Sequence, residues 1–538
     1  MKKGFLKLIA VVLTLTVFLS GCSLFSLDEL QQLLGGPQQA TPFAEMEYQR
    51  PDIEELERQM QLCCQTAETE SDVDKVLEPI WEFFSTYNSF HTNYNLACIY
   101  YFKDLTDTYW ETEYNYCMER SSRATAALDE LYYALADSPM RLKLEATDTF
   151  GEGFFNDYMG ESIWDDQFTA LIDEQARIEA DYYDMMGSAQ EVGLQSKEYY
   201  EQYAPKLADL FVEMVALRQE IAAYAGYEDF QTFAYDFYHS RDYTPAQTEK
   251  YLEEIGRELV PLYRKANLMS IREYGGQFCS EKQTYEYVQN AAQAMGGTIQ
   301  AAFEEMSTAG LYDITYSEKK YDVSFEVYLP NYNVPYVFVN PLGAMWDKLS
   351  FAHEFGHYCN DYATYGRTPS VDVSEIFSQG MEFLSLCYTE DTDKLEQLRM
   401  LNSLNTYVEQ AAYALFELRV YDLKGDDLNA ENVRALYEKT CLDFGFDIWV
   451  WDSRDYVLVS HFMMSPMYVI SYVVSNDVAL QIYQMEKQEA GAGLALYEQS
   501  LTTQQETILA FVDEAKLESP FAKGRVATVR QTLEGILK

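Results

Sequence analysis

The sequence has few basic residues. It contains 39 Lys and Arg against 87 Asp and Glu in 538 residues, a formal net charge of −48. A surface with this balance repels phosphate, which argues against nucleic-acid binding and against attachment to anionic lipid through basic patches. Glycine (26) and proline (14) are also scarce, and so few helix breakers favour a mainly helical fold. Disorder is excluded, because 48% of the chain is hydrophobic and 15% is aromatic.

The cysteines lack the spacing of common metal and redox motifs. None of the nine cysteines belongs to a C-x-x-C pair, which argues against zinc ribbons and thioredoxin-like sites, and the chain is too long for a small disulfide scaffold. We expect most of the cysteines to be buried thiols. The adjacent Cys63 and Cys64 are the expected exception, as candidates for a disulfide whose partner the sequence does not identify.

The first residues have the pattern of an export signal. Three lysines precede an apolar run at residues 8–19, which is 12 residues long and too short to span a bilayer. The run leads into Leu-Ser-Gly-Cys at residues 19–22, which resembles the lipobox of bacterial lipoproteins. The resemblance implies a signal peptide at residues 1–21, lipidation of Cys22, and a protein anchored to the cell membrane outside the cytoplasm. The alternative is an ordinary secretory signal with an incidental cysteine.

Periodicity divides the rest of the chain into three parts. Residues 22–44 contain Gly-Gly-Pro and a run of Gln, Ala and Thr, which is typical of a tether. Apolar stripes at helical spacing predict an N-terminal helical part at 45–320. The last part, 321–538, opens with alternating apolar and polar residues at 323–329, which predict a strand. A second run at 334–339 contains a proline and therefore indicates an edge strand; helical patterns follow it.

One later stretch resembles a membrane span. Residues 456–476 contain no charged side chain over 21 positions, which is long enough to cross a bilayer. The stretch nevertheless includes a histidine, a proline and four serines, and Asp455 and Asp477 flank it where basic residues would be expected. We therefore interpret it as a buried core helix.

The most informative motif is His-Glu-Phe-Gly-His at residues 353–357. A sequence of the form HExxH would arise by chance about 0.005 times in a chain of this length and composition. On a helix, His353 and His357 lie on one face, one turn apart, so both imidazoles can reach one metal ion. Glu354 projects beside that face and can reach a water molecule on the metal. Apolar residues just before the motif favour a buried helix over an exposed one.

A catalytic zinc site needs a third protein ligand and an open position. No third histidine follows within a few residues, so the metzincin pattern is absent. The remaining ligand is then expected to be a carboxylate, and the spacing leaves four candidates open. These are Asp361, Asp372, Glu375 and Glu382.

The segments 353–357 and 374–382 resemble the oligoendopeptidase F and thimet oligopeptidase family of zinc metallopeptidases. In that family the HExGH helix is followed by a helix carrying Glu-x-x-Ser-Gln-x-x-Glu. The resemblance implies one Zn²⁺ per chain, held by His353, His357 and Glu375, with Glu354 as the general base of a zinc-water mechanism. This chain departs from the thimet branch in having Phe where that branch has Pro and in a shorter spacing between the two helices. Asp372 and Glu382 either orient the ligands or are plain carboxylates on the helix surface.

The same family places a histidine and tyrosines from a C-terminal helix over the substrate. The matching residues are His461, Tyr468 and Tyr472, although one extra residue separates the histidine from the tyrosines here. Neutral donors opposite the metal would stabilise the negative charge that develops on the peptide carbonyl. Tyr468 is the favoured donor and Tyr472 the alternative. His91 and His239 match no such pattern, and we interpret both as structural.

The resemblance also implies an overall architecture. The family is mainly α-helical, a large helical ellipsoid with a deep substrate channel and a small β-sheet next to the zinc-site helices. The peptide is expected to lie as an added strand along residues 332–340. Tyr336, Val337, Phe338 and Gly343 are the predicted substrate-binding residues.

Together these features predict a monomeric zinc-dependent metalloendopeptidase. Its substrates would be internal peptide bonds of short oligopeptides outside the cytoplasm, and its partners would include the membrane, through lipidated Cys22, but no nucleic acid. One alternative is a zinc carboxypeptidase or dipeptidase on a similar scaffold. Another is a non-enzymatic lipoprotein that binds peptides.

Overall fold

A computed structural model describes most of the chain after residue 39. The described ranges are 40–160, 163–266, 275–367, 369–390, 392–446 and 452–537. The predicted signal peptide (1–21), Cys22 and nearly all of the predicted tether (22–44) lie outside them.

Within these residues the protein is mainly α-helical with one small sheet, as predicted. The helices before the sheet are α1 (Ile53–Thr69), α2 (Val73–Lys103), α3 (Thr108–Met118), α4 (Ser121–Asp137), α5 (Arg141–Leu144), α6 (Asp166–Val192), α7 (Lys197–Gln202), α8 (Ala204–Tyr224), α9 (Phe230–Phe233), α10 (Pro245–Glu258), α11 (Val260–Tyr263), α12 (Glu281–Met295) and α13 (Gly297–Ala309). The helices after the sheet are α14 (Asp347–Thr364), α15 (Val371–Ser385), α16 (Asp393–Asn405), α17 (Ala411–Val420), α18 (Ala430–Asp443), α19 (Ser460–Met464), α20 (Ile470–Gln488), α21 (Ala492–Ser500), α22 (Ile508–Glu514) and α23 (Arg525–Ile536). Single 3-10 turns lie at Phe43–Glu45, Phe154–Tyr158, Gly425–Asp427 and Asp455–Leu458, and π-helical turns at Ala234–Tyr238 and Thr406–Gln410.

Side chains at the helix starts explain where several helices begin. Before α10, the Thr244 hydroxyl accepts the Gln247 N–H at 3.2 Å, and the Gln247 side chain accepts the Thr244 N–H at 2.9 Å. The same reciprocal pair, Ser280 with Gln283, precedes α12. Each pair satisfies N–H groups that the first turn of a helix leaves without intrahelical partners.

The sheet has three strands in the order β1-β3-β2, with β1 at Tyr312–Asp313, β2 at Ser324–Leu329 and β3 at Val334–Val339. β1 pairs with β3 in parallel, and β2 pairs with β3 in antiparallel. Burial alternates along β2, as the sequence predicts, but every residue of β3 is buried.

The interpretation of 334–339 as an edge strand is wrong, because β3 is the central strand. Its proline is tolerated because β1 is so short. The Val337 N–H points toward β1 and bonds the Leu311 carbonyl at 3.0 Å. Pro335, two residues earlier, points the same way, but the pairing with β1 begins only at Val337. The missing N–H of Pro335 therefore costs no ladder hydrogen bond.

The chain forms two compact units, each built from two stretches. Of the described residues, one unit contains those up to Thr169 together with 278–367, and the other contains those from Ala170 to Gln277 together with those from Pro369 onward. They divide the chain differently from the predicted parts 45–320 and 321–538. In the first unit α14 packs against β2, β3, α12 and α13, and in the second α15 packs along α20.

The charge-free stretch 456–476 is buried, as predicted, but it is not one helix. It contains most of a 3-10 turn (Asp455–Leu458), all of α19 and the start of α20. The helical path stops because Pro466 has no N–H and Met467 has a positive φ of 62°. Among the described residues, no helix has the length and apolar composition needed to span a bilayer.

The cysteines of the described residues are free thiols, most of them buried. This confirms the expectation for the core. The expected disulfide at Cys63 and Cys64 is wrong, since both are free. Burial raises the pKa of Cys63 to about 12 and that of Cys64 to about 11, which keeps both as unreactive thiols.

Candidate active site

Helix α14 carries the HExxH motif and is buried along most of its length. At the first residue of the helix, the Asp347 carboxylate accepts the N–H groups of Leu342 and Ala344, both at 2.9 Å, which ties the preceding loop to the first turn. The helix then packs against the sheet and against α13, where Phe355 meets Phe303 edge to face at 5.5 Å. His353 is 4% exposed and His357 is 6% exposed. The motif therefore belongs to a core helix.

Three side chains of the described residues are grouped so that they could hold a metal ion. Their ligand atoms, from His353, His357 and Glu375, all lie within 4.8 Å of one another, and all three residues are buried. Two imidazole nitrogens and one carboxylate oxygen form a donor set that suits Zn²⁺ and leaves a fourth position open. Burial and the neighbouring His353 lower the pKa of His357 well below its usual value, so the ring is neutral, which is the form that binds metal.

Both carboxylate oxygens of Glu375, on α15, accept a hydrogen bond. The Tyr468 hydroxyl donates to Oε1 at 2.8 Å, and the Ser378 hydroxyl donates to Oε2 at 2.8 Å. Hydrogen bonds of this kind fix the orientation of a ligating carboxylate and tune its affinity for the metal. Tyr468, which the sequence favours as a donor to the substrate, instead contacts the predicted metal ligand.

His461 and Tyr472 form a second pair beside Tyr468. Their Nε2 and hydroxyl groups are 3.2 Å apart. The Tyr468 ring lies 5.4 Å from the His461 ring and 5.3 Å from the Tyr472 ring, centroid to centroid. Burial lowers the pKa of His461 to about 4, so its ring is neutral at pH 7. The structure therefore brings together the three residues that the sequence predicts from the C-terminal helix.

Asp372 joins α15 to α20 through a buried network. It accepts hydrogen bonds from Arg241 Nε at 3.2 Å, from the Tyr243 hydroxyl at 2.8 Å and from the Ser471 hydroxyl at 2.6 Å. Its main-chain carbonyl also accepts the Ser475 hydroxyl at 2.7 Å. The network connects the helix that carries Glu375 with the helix that carries Tyr472.

Glu382 is paired with Arg399, whose Nε lies 2.8 Å from its carboxylate. The guanidinium stacks over the Phe383 ring at 3.8 Å and donates to Asn476. Asp372 and Glu382 are both buried, so the alternative that they are plain surface carboxylates is wrong.

Asp361, another candidate ligand, is hydrogen-bonded to Glu326 of β2. Burial, Asp361 and the nearby Glu354 all raise the pKa of Glu326 well above its usual value. Asp361 is buried and Glu326 is partly buried. Two adjacent carboxyl groups in such surroundings cannot both ionise at low cost, so this pair holds a proton near Glu354. The sequence does not mark Glu326 as a site residue. The signal it offers is a glutamate within the alternating strand that precedes the HExxH helix.

The predicted substrate-binding residues lie in and after β3, and their side chains are mostly packed. The Tyr336 ring contacts Phe43 at 4.3 Å, and Phe338 stacks on Phe325 at 4.8 Å. Val337 and Phe338 have strand neighbours on both sides, so the open edges of the sheet belong to β1 and β2. Gly343 has a φ of +70° and open space where a Cβ would lie, so its backbone conformation accounts for glycine there.

Comparisons with known proteins concern the N-terminal part of the chain and its overall fold. Residues 43–159 match the family model of the peptidase M3 N-terminal domain. The match begins at Phe43, inside the predicted tether, and Phe43 already packs against β3. No curated protein sequence matches the chain.

Several solved structures share the fold. PZ peptidase A with an inhibitor aligns with a TM-score of 0.78 at 20% identity, covering 92% of this chain and 99% of that one. A structure described as an oligoendopeptidase F aligns with a TM-score of 0.78 at 20% identity, covering 93% and 99%. A Bacillus anthracis protein with the same description aligns with a TM-score of 0.75 at 20% identity, covering 93% and 98%. The family match and the shared fold together support a peptidase.

Sequence reasoning missed Arg241 and Tyr243, the partners of Asp372. They precede Asp372 by well over a hundred residues, and an arginine before a helix cap has no pattern that distinguishes it from a surface cation. The contacts become visible only in the folded chain.

Proposed function

We propose that this protein is a zinc-dependent metalloendopeptidase that cleaves internal bonds of short oligopeptides. The observation that carries the proposal is the buried grouping of His353, His357 and Glu375, with Glu354 directly after the first histidine. The match to the peptidase M3 N-terminal domain and the shared fold support it.

His353, His357 and Glu375 would hold the zinc ion. When bound, zinc polarises the scissile carbonyl and lowers the pKa of the attacking water. The chain's own contribution is to keep the His357 imidazole neutral, chiefly by burial, and to fix Glu375 through Tyr468 and Ser378.

Glu354 acts as the general base and then as the general acid. It is fully buried on α14, so little solvent competes for its proton. Its carboxylate takes a proton from the attacking water and passes it to the nitrogen of the leaving amine. The Glu326–Asp361 pair lies close enough to influence its charge.

Tyr472 and His461 stabilise the negative charge that develops on the carbonyl oxygen. The Tyr468 hydroxyl has one hydrogen, which it donates to Glu375, so its contacts favour an orienting role. Tyr472 is paired with the neutral His461, and either group can donate to an oxyanion without introducing a charge.

The test is to map cleavage sites by mass spectrometry on peptides with acetylated N-termini and amidated C-termini. The wild-type enzyme should cut these peptides internally, lose activity with a chelator and regain it when zinc is added. The Glu354→Gln variant should retain zinc but cut no peptide. Cleavage that requires a free terminus would favour the carboxypeptidase or dipeptidase. Binding of peptides without turnover would favour the peptide-binding lipoprotein.

We also propose that the enzyme is anchored outside the cytoplasm through lipidated Cys22. The support is the lipobox-like sequence at residues 19–22. The wild-type chain should partition into detergent and carry a lipid mass on its N-terminal cysteine, whereas Cys22→Ser should be released or left unprocessed. An unlipidated, soluble wild-type chain would contradict the anchor but not the peptidase.

A further inference from the structure

The segment between His461 and Tyr468 has little regular structure of its own. Helix α19 ends at Met464, Met467 has a φ of +62°, and α20 begins only at Ile470. A left-handed conformation is strained in a residue with a bulky side chain and persists only where the surroundings enforce it. The segment is buried at most positions, so its main-chain polar groups need partners from the protein.

Arg218 of α8 supplies partners at the end of α19. It is 0% exposed. Its Nη1 donates to the Phe462 carbonyl at 2.6 Å and to the Tyr421 hydroxyl at 3.1 Å, and its Nη2 donates to the Met463 carbonyl. Both carbonyls belong to the last turn of a helix, where no following turn provides N–H donors. A buried guanidinium thus takes the place of the missing turn.

His239 and Glu417 hold the rest of the segment. His239 Nε2 lies 2.8 Å from the Pro466 carbonyl, and since a carbonyl can only accept, Nε2 carries the proton. The Met467 N–H donates to Glu417 Oε1 at 2.9 Å. The two bonds therefore hold both polar groups of one peptide unit, the one that joins Pro466 to the strained Met467.

These three side chains come from separate parts of the chain and converge on one segment. Arg218 lies on α8, His239 follows the π-helical turn Ala234–Tyr238, and Glu417 lies on α17. Their bonds reach main-chain groups of residues 462, 463, 466 and 467, all of which lie between His461 and Tyr468. The His239 ring also approaches the Tyr468 ring at 6.4 Å.

We propose that Arg218, His239 and Glu417 form a cradle that positions His461 and Tyr468, and through them the site of peptide hydrolysis. The three are positioning residues, and the inference rests on the proposed function. Burying an arginine and a glutamate is costly unless their hydrogen bonds are well formed. If the position of this segment did not matter, apolar side chains could pack against it instead.

The first test compares disruptive with conservative substitutions in the full chain. His239→Leu and Glu417→Leu remove a bond to the segment, whereas His239→Gln and Glu417→Gln can keep one. Burial raises the pKa of Glu417 to about 8, so glutamine matches the mostly protonated side chain at pH 7. Arg218→Met and Arg218→Lys form the third pair.

The leucine and methionine variants should lower kcat by about 100-fold, the effect of a displacement of about 1 Å in a catalytic group. KM should stay within about twofold of wild type, and with zinc in excess each chain should still bind one zinc ion. The glutamine variants should stay within about fivefold of the wild-type kcat, because the hydrogen bond to the segment survives.

A second measurement needs no activity. Amide hydrogen exchange of the zinc-free protein should be faster at residues 460–469 in Glu417→Leu, with no change in α14. Arg525→Met is the matched control: Arg525 is also buried and paired, but with Asp477 at 2.9 Å. It should lower stability while leaving both kcat and exchange at 460–469 unchanged.

The outcomes separate the two proposals. If the leucine variants fold and keep wild-type kcat and exchange, the cradle has no positioning role and the inference is wrong. If wild type shows no zinc-dependent hydrolysis, the proposed function fails, and the exchange measurement still decides whether the cradle holds the segment. Should Arg218→Met not fold, the His239 and Glu417 pairs carry the same test.

Discussion

Two regions that would serve the same reaction are built in opposite ways. The motif on α14 uses one regular helix, in which a spacing of four residues alone puts His353 and His357 on one face. The segment from His461 to Tyr472 crosses a helix end and a left-handed residue before a second helix begins. Its geometry depends on side chains that are remote in sequence.

The difference shows where each kind of site is vulnerable. In the first region, the helical spacing itself places the two imidazoles on one face. In the second, residues that never touch substrate decide where the donors lie. Substitutions should therefore affect metal binding in the first region and turnover in the second, except at Tyr468, whose hydroxyl contacts the predicted metal ligand Glu375.

The largest expected effect separates the two regions directly. His353→Ala or His357→Ala should abolish both zinc binding and hydrolysis, because each substitution removes one of the three protein ligands of the metal. His461→Ala should retain one zinc per chain and lose about 10²–10³ in kcat, the usual effect of removing one oxyanion donor. Zinc content by mass spectrometry and single-turnover kinetics check both. Loss of zinc in His461→Ala would contradict the distinction.

The two tyrosines sharpen the comparison within the second region. Tyr468→Phe removes the hydrogen bond to Glu375 and should weaken zinc affinity by about 10- to 100-fold. Tyr472→Phe should leave zinc affinity unchanged and lower kcat by about 10²-fold. Competition with a zinc chelator measures the affinity, and saturation kinetics in excess zinc measure kcat. The reverse pattern would exchange the two roles.

Much of the first region follows from sequence, and much of the second does not. The spacing of the HExxH motif reveals its helix, and the alternation of apolar and polar residues reveals the strand β2. The central place of β3 escapes such reasoning because it is set by pairing with Tyr312–Asp313, a strand too short to give a pattern. The stretch 456–476 reads as one apolar helix, since hydrophobicity alone does not register the turn at Met467. Arg218, Arg241 and Glu417 act over long sequence separations, for which a single sequence gives no signal.

A smaller effect tests the link between α15 and α20. Tyr243→Phe removes one hydrogen bond to the buried Asp372 and should lower the free energy of unfolding by about 1.5–3 kcal/mol, the range for bonds to charged groups. Tyr285→Phe is the matched control, because it removes a bond between two hydroxyls, Tyr285 and Ser307, and should cost about 0.5–1.5 kcal/mol. Urea unfolding measures both. Equal losses in the free energy of unfolding would mean that the Tyr243–Asp372 hydrogen bond stabilises the fold no more than a bond between two hydroxyl groups.

The smallest effect concerns a histidine outside both regions. Neither ring nitrogen of His91, on α2, has a hydrogen-bond partner among the described residues, and burial lowers its pKa from 6.5 to about 3. The unfolded chain therefore binds a proton below about pH 6.5 that the folded chain does not. The stabilising contribution of the neutral ring is complete above pH 6.5 and is lost as the pH falls toward 3.

His91→Phe should remove this dependence. Between pH 7 and pH 5 the wild type should lose about 2 kcal/mol more stability than the variant, measured by denaturant unfolding at each pH. Parallel pH profiles would show that His91 does not titrate in this way. The expected difference would show that burial alone can lower the pKa of a histidine that has no catalytic role.

The central claim is that His353, His357 and Glu375 hold one zinc ion beside Glu354. Anomalous X-ray scattering at the zinc edge, from crystals of the purified protein, tests it most directly. The account predicts a single strong peak within bonding distance of two imidazole nitrogens and one Glu375 oxygen. A peak elsewhere, or none at these three residues in a protein that hydrolyses peptides, would contradict it.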